Sequence, residues 1–63
     1  MKFKDLDKLL RKHGYQLIYS NKHHKYYNGI TTVMVPTKRE INRMLSIRIL
    51  KMAGIDVMAL NLF

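Results

Sequence analysis

The spacing of residues that would share one helical face predicts a helix over residues 3–13. Four of these residues recur at three- and four-residue steps, and Leu9 broadens the face that they form: Phe3, Leu6, Leu10 and His13. Asp5 and Asp7 fall in the first turns, where negative charge complements the helix dipole. Gly14 follows directly and can adopt the positive φ that commonly ends a helix.

Alternating and β-branched segments then predict three antiparallel strands. The segments are residues 15–20, 23–27 and 30–35. In the first strand, regular alternation puts Tyr15, Leu17 and Tyr19 on one face of the sheet, because successive strand side chains point to opposite sides.

Turn residues mark the connections between these strands. Residues 20–22 form a short polar turn. Asn28-Gly29 predicts a two-residue hairpin, since both central residues of a type I′ turn need positive φ. Pro36 ends the third strand because it has no N–H to donate to a ladder.

A capping box predicts the start of a second helix. Thr37 is the expected N-cap and Glu40 reaches back to it. The helix is predicted to run to Ala53, with Gly54 as its stop. Its core stripe comprises Ile41, Leu45, Ile49, Met52 and Ala53. Asp56 can cap a last short helical turn that contains Val57, Met58, Leu60 and Leu62, and an arm for a partner is the alternative for this tail.

Apolar residues also lie outside the predicted stripe of the second helix. These are Met44, Ile47 and Leu50. Either the sheet and the tail cover this extra apolar surface, or a partner does. The candidate partner contacts are Met44, Ile47, Leu60 and Phe63.

The order of elements predicts an α+β fold of one domain, residues 1–63, with both helices on one face of the sheet. A chain of 63 residues buries only about 60% of its unfolded surface, so a partner would add stability. The absence of cysteine excludes disulfides and cysteine-bound zinc. With no signal-peptide or membrane-spanning pattern, the cytoplasm is the default expectation.

The charge of the chain favours a polyanionic partner. Twelve Lys and Arg against four Asp and Glu give a net charge of +8 and a pI near 10.1. RNA, DNA or an acidic protein would fit this charge, and a merely solvated basic surface is the alternative. The candidate phosphate contacts are Lys12, Lys22, Lys25, Lys38 and Arg39.

Two adjacent histidines carry the most specific chemistry. Alternation in the second strand puts His24 on the core face, and His23 with Lys25 on the other. Imidazole can give or take a proton near neutral pH, and lysines can stabilise charge on a phosphorane. His23 is therefore the catalytic candidate and His24 a secondary one. A solvated strand histidine is the alternative.

Metal binding fits the sequence less well. Adjacent strand histidines diverge, so they cannot hold one ion together. The carboxylates do not cluster at short spacing: Asp5, Asp7, Glu40 and Asp56. We expect neither a metal nor another cofactor.

Four segments in order carry a family resemblance: residues 4–15, 21–26, 33–36 and 49–55. The first ends in Gly-aromatic, the second contains the histidine pair, and the last is ILKMAGI. Together they resemble the HicA toxin family, including its Gly-Ser-His-His-x-Phe and Ile-Leu-Lys-Gln-Ala-Gly-Leu segments. Asn21-Lys22 replaces the usual Gly-Ser.

The resemblance implies a double-stranded-RNA-binding-domain-like fold and metal-independent cleavage of mRNA. It also implies neutralisation by a HicB-type antitoxin that covers the active face. The first histidine of the pair, the one generally assigned to catalysis in the family, falls on His23. The alternative functions are a non-catalytic RNA- or DNA-binding module and a small protein that docks an acidic partner.

Overall fold

The computed structural model describes residues 1–60, with Leu60 described by its backbone alone. The elements in chain order are α1 (Phe3–Lys12), β1 (Gln16–Ser20), β2 (His23–Tyr27), β3 (Thr32–Pro36), α2 (Arg43–Met52) and α3 (Val57–Leu60). The strands form one antiparallel sheet in the order β1-β2-β3. This architecture confirms the predicted α+β fold and is consistent with a double-stranded-RNA-binding-domain-like arrangement.

Both long helices pack on one face of the sheet, as predicted. The buried apolar side chains come from the helices, the sheet and the connections: Leu6, Leu10, Tyr15, Tyr26, Val33, Val35, Ile41, Ile49, Leu50 and Ile55. Tyr19, Tyr27 and Met34 point from the opposite face and are exposed. The sheet therefore buries one side against the helices and leaves the other accessible.

Both long helices end at the predicted glycines. After α1, Gly14 adopts φ 91°, and the Tyr15 N–H donates to the Leu10 carbonyl at 2.9 Å. The same arrangement follows α2, where Gly54 adopts φ 77°. These turns satisfy terminal helix carbonyls and deliver Tyr15 and Ile55 into the core.

The alternation predicted along β1 is wrong beyond Leu17. A β-bulge between Leu17 and Tyr19 adds one residue to β1 relative to β2. Because side chains alternate with a period of two, the added residue turns Tyr19 onto the exposed face, opposite Lys25. It also brings Ser20 opposite His24.

The connection from β2 to β3 is longer than the predicted two-residue turn. Tyr27 pairs with Thr32, so residues 28–31 form a loop, and Ile30 is 90% exposed instead of lying in a strand. The Asn28 side-chain oxygen accepts the N–H groups of Ile30 at 2.9 Å and Thr31 at 2.6 Å. These two hydrogen bonds satisfy backbone N–H groups of the longer loop, which forms in place of the expected two-residue turn.

The predicted capping box is also wrong. The cap of α2 is Asn42, whose side-chain oxygen accepts the Leu45 N–H at 2.8 Å. Thr37 instead donates through Oγ1 to the Lys22 carbonyl at 3.1 Å. The Glu40 carboxylate lies 3.4 Å from the N-terminal ammonium. Both side chains of the expected box therefore have tertiary partners.

Backbone pairing with the N-terminus explains the late start of α2. The Phe3 N–H donates to the Arg39 carbonyl, and the Ile41 N–H to the Met1 carbonyl, both at 2.8 Å. Lys2 and Glu40 form an isolated antiparallel bridge between these contacts. The pairing satisfies backbone groups that a helix would otherwise satisfy, so this segment stays extended.

Burial along α2 departs from the predicted stripe. Leu50, which we placed off the stripe, is fully buried, whereas Met52, which we placed on it, is 57% exposed. Ser46 is also buried and donates to the Ile41 carbonyl at 3.2 Å. The rest of the predicted stripe is confirmed, since Ile41 and Ile49 are buried and Leu45 and Ala53 pack against the core.

The predicted cap of the last helical turn is confirmed. The Asp56 carboxylate accepts the Met58 N–H at 3.0 Å at the start of α3. The side chain of Leu60, together with Leu62 and Phe63, lies outside the part of the chain that the structure describes. No described helix is long and apolar enough to cross a membrane.

A polar pair links α1 to the buried side of the sheet. The Tyr26 hydroxyl donates to the Asp7 carboxylate at 2.5 Å, and Arg11 Nε lies 3.0 Å from both carboxylate oxygens. Burial, followed by the hydrogen bond to Asp7, raises the pKa of Tyr26 above its ordinary value of 10.0.

We expect alkaline pH to destabilise the fold through Tyr26. The pKa of Tyr26 is higher in the folded state than in the unfolded state. The contribution of Tyr26 to the free energy of unfolding is therefore complete below pH 10 and is lost as the pH rises above 10. Urea unfolding at pH 8 and 11 should show that Tyr26→Phe loses less stability than wild type, by at most about 1.4 kcal/mol. Exposed Tyr19→Phe is the control and should follow wild type. Equal losses in wild type and Tyr26→Phe would contradict this expectation.

Candidate functional site

The two histidines lie on opposite faces of β2, as alternation predicts. The pairing of β2 with β3 is regular, with His23 opposite Pro36 and His24 opposite Val35. His23 is exposed, and His24 is half-buried on the side of the helices. The chain therefore presents one imidazole on each side of the sheet.

The first imidazole belongs to an exposed surface that we call the open face. Its residues come from all three strands: Tyr19, His23, Lys25, Tyr27 and Met34. Two of its phenols are anchored, since Tyr27 donates to the Gly29 carbonyl at 2.9 Å and Tyr19 accepts from Asn21 at 3.3 Å. An imidazole, an ammonium group and aromatic rings on one accessible surface can contact phosphate and bases.

The second imidazole is held in place from two directions. The ring of His24 stacks on Phe3, with centroids 4.5 Å apart and an interplanar angle of 30°. Its Nδ1 lies 2.8 Å from the Ser20 hydroxyl, which the bulge in β1 brings opposite it. Among the described residues, Nε2 has no hydrogen-bond partner.

His24 also lines a cavity of about 500 Å³ that we call the cationic groove. Its cations come from the N-terminus and from the segment before α2: Lys2, Lys4, Lys38 and Arg39. Phe3 and Thr37 contribute to its walls, as does Glu40, which also contacts the N-terminal ammonium. The volume lies within the range of about 300–1,000 Å³ that is typical of ligand pockets.

The structure separates the predicted phosphate contacts. Lys38 and Arg39 meet at the cationic groove, whereas Lys25 lies on the open face. Lys22 is exposed just before β2. Lys12 lies at the far end of α1 from the groove, roughly 15 Å along the helix axis. These five cations therefore do not form one cluster.

Sequence reasoning missed three residues of the groove region. Lys2 and Lys4 join it because the N-terminus pairs with residues 39–41, and no local pattern in the sequence signals that pairing. Ser20 supports His24 through the bulge in β1. The sequence shows Ser20 as a polar residue of an alternating strand, but it gives no sign of the bulge.

The predicted partner contacts can be placed in part. Met44 is 74% exposed and Ile47 is half-buried on α2. Together with Met52 they line a shallow depression of about 400 Å³. The depression lies on a side of α2 that faces away from the core. This agrees with the position of Met44 and Ile47 outside the predicted core stripe.

The acidic residues are dispersed. Asp7 binds Tyr26 and Arg11, Glu40 contacts the N-terminus, and Asp56 caps α3. Within the described part of the chain, no three His, Asp or Glu side chains come together as a group able to hold a metal ion.

Comparison with known proteins gives one family. A family model described as HicA toxin of bacterial toxin–antitoxin matches residues 3–55 of the 63-residue chain. The matched region runs from α1 to the end of the α2 turn and includes the sheet and both strand histidines. No curated protein and no solved structure matches the chain.

Proposed function

This chain belongs to the HicA toxin family of bacterial toxin–antitoxin systems, and from that premise we propose that it is a metal-independent endoribonuclease that cleaves mRNA. His23 acts as the general base that takes the 2′-hydroxyl proton or as the general acid that protonates the departing 5′-oxygen. The 2′-oxygen loses its proton and attacks phosphorus, and the departing 5′-oxygen takes up a proton. The products are a 2′,3′-cyclic phosphate and a 5′-hydroxyl.

The exposed position of His23 on the open face is the observation that chiefly supports this proposal. Lys25 follows two residues later on the same face, and Lys22 precedes the histidine in the chain. Their ammonium groups would position the phosphate and offset the charge that builds on the phosphorane. The exposed rings of Tyr19 and Tyr27 offer surfaces on which flanking bases can stack.

Incubation of the purified chain with RNA in excess chelator tests the proposal. A metal-independent nuclease should release fragments that end in cyclic phosphate, at a rate the chelator does not change. A non-catalytic RNA- or DNA-binding module should instead show salt-dependent binding and intact RNA. Intact RNA in a preparation that binds RNA would reject the nuclease.

The partner in this proposal is a HicB-type antitoxin that contacts α2. The exposure of Met44 and the shallow depression that it shares with Ile47 support this assignment. Methionine is enriched at protein interfaces and adapts to irregular surfaces. Leu60 and Phe63 remain predicted contacts of the same partner.

We expect Met44→Asp to weaken antitoxin binding about tenfold or more, since a carboxylate would be desolvated in an apolar contact. The matched control is Ile30→Asp, which places the same charge on a 90% exposed residue of the β2–β3 loop. Isothermal titration of each variant with the antitoxin gives the comparison. Wild-type affinity in Met44→Asp, or equal losses in both variants, would exclude α2 from the interface.

A further inference from the structure

The open face and the cationic groove meet at one end of β2 and β3. His23 lies on the open face opposite Pro36. The next residue after Pro36 is Thr37, which lines the groove and donates to the Lys22 carbonyl at 3.1 Å. The next residue after His23 is His24, which also lines the groove. On both strands, consecutive residues therefore belong to the two surfaces.

The groove has walls that the fold holds in a fixed relation. One wall carries Lys2 and Lys4, and the other carries Lys38 and Arg39. The hydrogen bond from the Phe3 N–H to the Arg39 carbonyl, at 2.8 Å, joins the two walls through the backbone. Four cations, one of them in the first turn of α1, are therefore gathered at the groove, and such a concentration favours phosphate.

The remaining groups of the groove also suit a nucleotide. The ring of His24 stacks on Phe3 and engages Ser20 through Nδ1, which leaves Nε2 as the ring nitrogen able to bind a phosphate oxygen. Glu40 is the acidic residue of the wall, and the N-terminal ammonium at 3.4 Å offsets its charge. A volume of about 500 Å³ is sufficient for a nucleotide-sized ligand.

We propose that the cationic groove binds the backbone of single-stranded RNA beside the cleaved bond. One strand would pass from the open face around the end of β2 and β3 and into the groove. The location of the cleaved bond rests on the proposed function, whereas binding in the groove does not. A single strand can turn at each nucleotide, but a duplex is stiff over lengths of about 150 base pairs in the case of DNA.

The test uses the full chain carrying His23→Ala, so that RNA stays intact. Fluorescence anisotropy would measure its affinity for a labelled strand of about 12 nucleotides and for the matching duplex, over a range of salt. The groove variant adds Lys38→Gln and Arg39→Gln. The control variant adds Lys8→Gln and Lys51→Gln, which remove the same charge from exposed positions on α1 and α2. Circular dichroism would establish that both variants remain folded.

The groove variant should bind the single strand about tenfold more weakly, and its salt slope should fall by about 1.4, or 0.7 for each lost phosphate contact. The control should stay within about twofold of its parent, and the duplex should bind more weakly than the single strand. Equal losses in the groove and control variants would overturn the proposal. So would a loss confined to the duplex, or a loss of antitoxin affinity with RNA binding unchanged.

The same experiment separates this inference from the nuclease. If the chain with native His23 leaves RNA intact but the groove variant still loses affinity, the groove is retained and the proposed catalysis is rejected. If RNA is cleaved while the groove and control variants bind RNA alike, the nuclease is retained and the groove is rejected.

Discussion

Replacement of His23 by alanine should abolish RNA cleavage, lowering kcat/KM by a factor of about 10²–10⁴. The expected loss corresponds to the removal of one acid–base group from the reaction. The fold should be unaffected, because the imidazole is exposed and takes no part in the core. Cleavage rates on an RNA with a defined site, together with a thermal melt of each protein, measure both effects.

The matched control for this prediction is His13→Ala. His13 is also exposed, and its Nδ1 lies 2.9 Å from the Leu9 carbonyl at the end of α1, away from the open face. Its replacement should leave cleavage unchanged and should preserve growth arrest in cells that express the toxin. A fully active His23→Ala protein would remove His23 from the mechanism, whatever the result for His13.

The largest effect on stability should come from Leu50→Ala, at about 2–5 kcal/mol. Leu50 is fully buried where α2 meets the core, so its truncation leaves a cavity against the sheet and α1. A domain of this size has a free energy of unfolding of only about 3–9 kcal/mol. The variant should therefore lose a large part of its free energy of unfolding, and the midpoint of its urea titration should fall accordingly.

Met52→Ala is the control, two residues further along the same helix. Its side chain is 57% exposed, so truncation should change the free energy of unfolding by no more than about 0.5 kcal/mol. The pair tests the two positions of α2 at which the observed burial differs from the predicted stripe. A larger cost for Met52→Ala than for Leu50→Ala would mean that the observed face of α2 is wrong.

Features that depend on a few neighbouring residues could be predicted from the sequence. Gly14 and Gly54 end their helices because only the local backbone must turn there, and Asp56 caps α3 by accepting the N–H of Met58, two residues along the chain. The opposite placement of His23 and His24 likewise follows from the pleat of a regular strand. The catalytic candidate was thus placed on the correct side of the sheet.

Features that depend on distant pairing could not be predicted in this way. The extended segment before α2 competes with a good local capping signal at Thr37, and it prevails because its backbone pairs with the N-terminus. The cationic groove has the same origin, since it joins lysines at the N-terminus to residues more than thirty positions later.

The bulge in β1 limited prediction for a different reason. One added residue reverses the side of every later side chain in the strand, and no residue type marks its position reliably. Tyr19 therefore joined the open face rather than the core, and Ser20 became the partner of His24.

The back-to-back arrangement of His23 and His24 supplies a pair of built-in spectroscopic reporters. Their Cε1–H proton resonances in an NMR spectrum would sample two environments that are separated only by the thickness of one strand. A ligand that covers one face of the sheet should change the chemical shift of one histidine. An RNA strand that passes around the end of β2 and β3 should change the chemical shifts of both. Titration of the two signals would therefore trace the course of a bound molecule without any attached label.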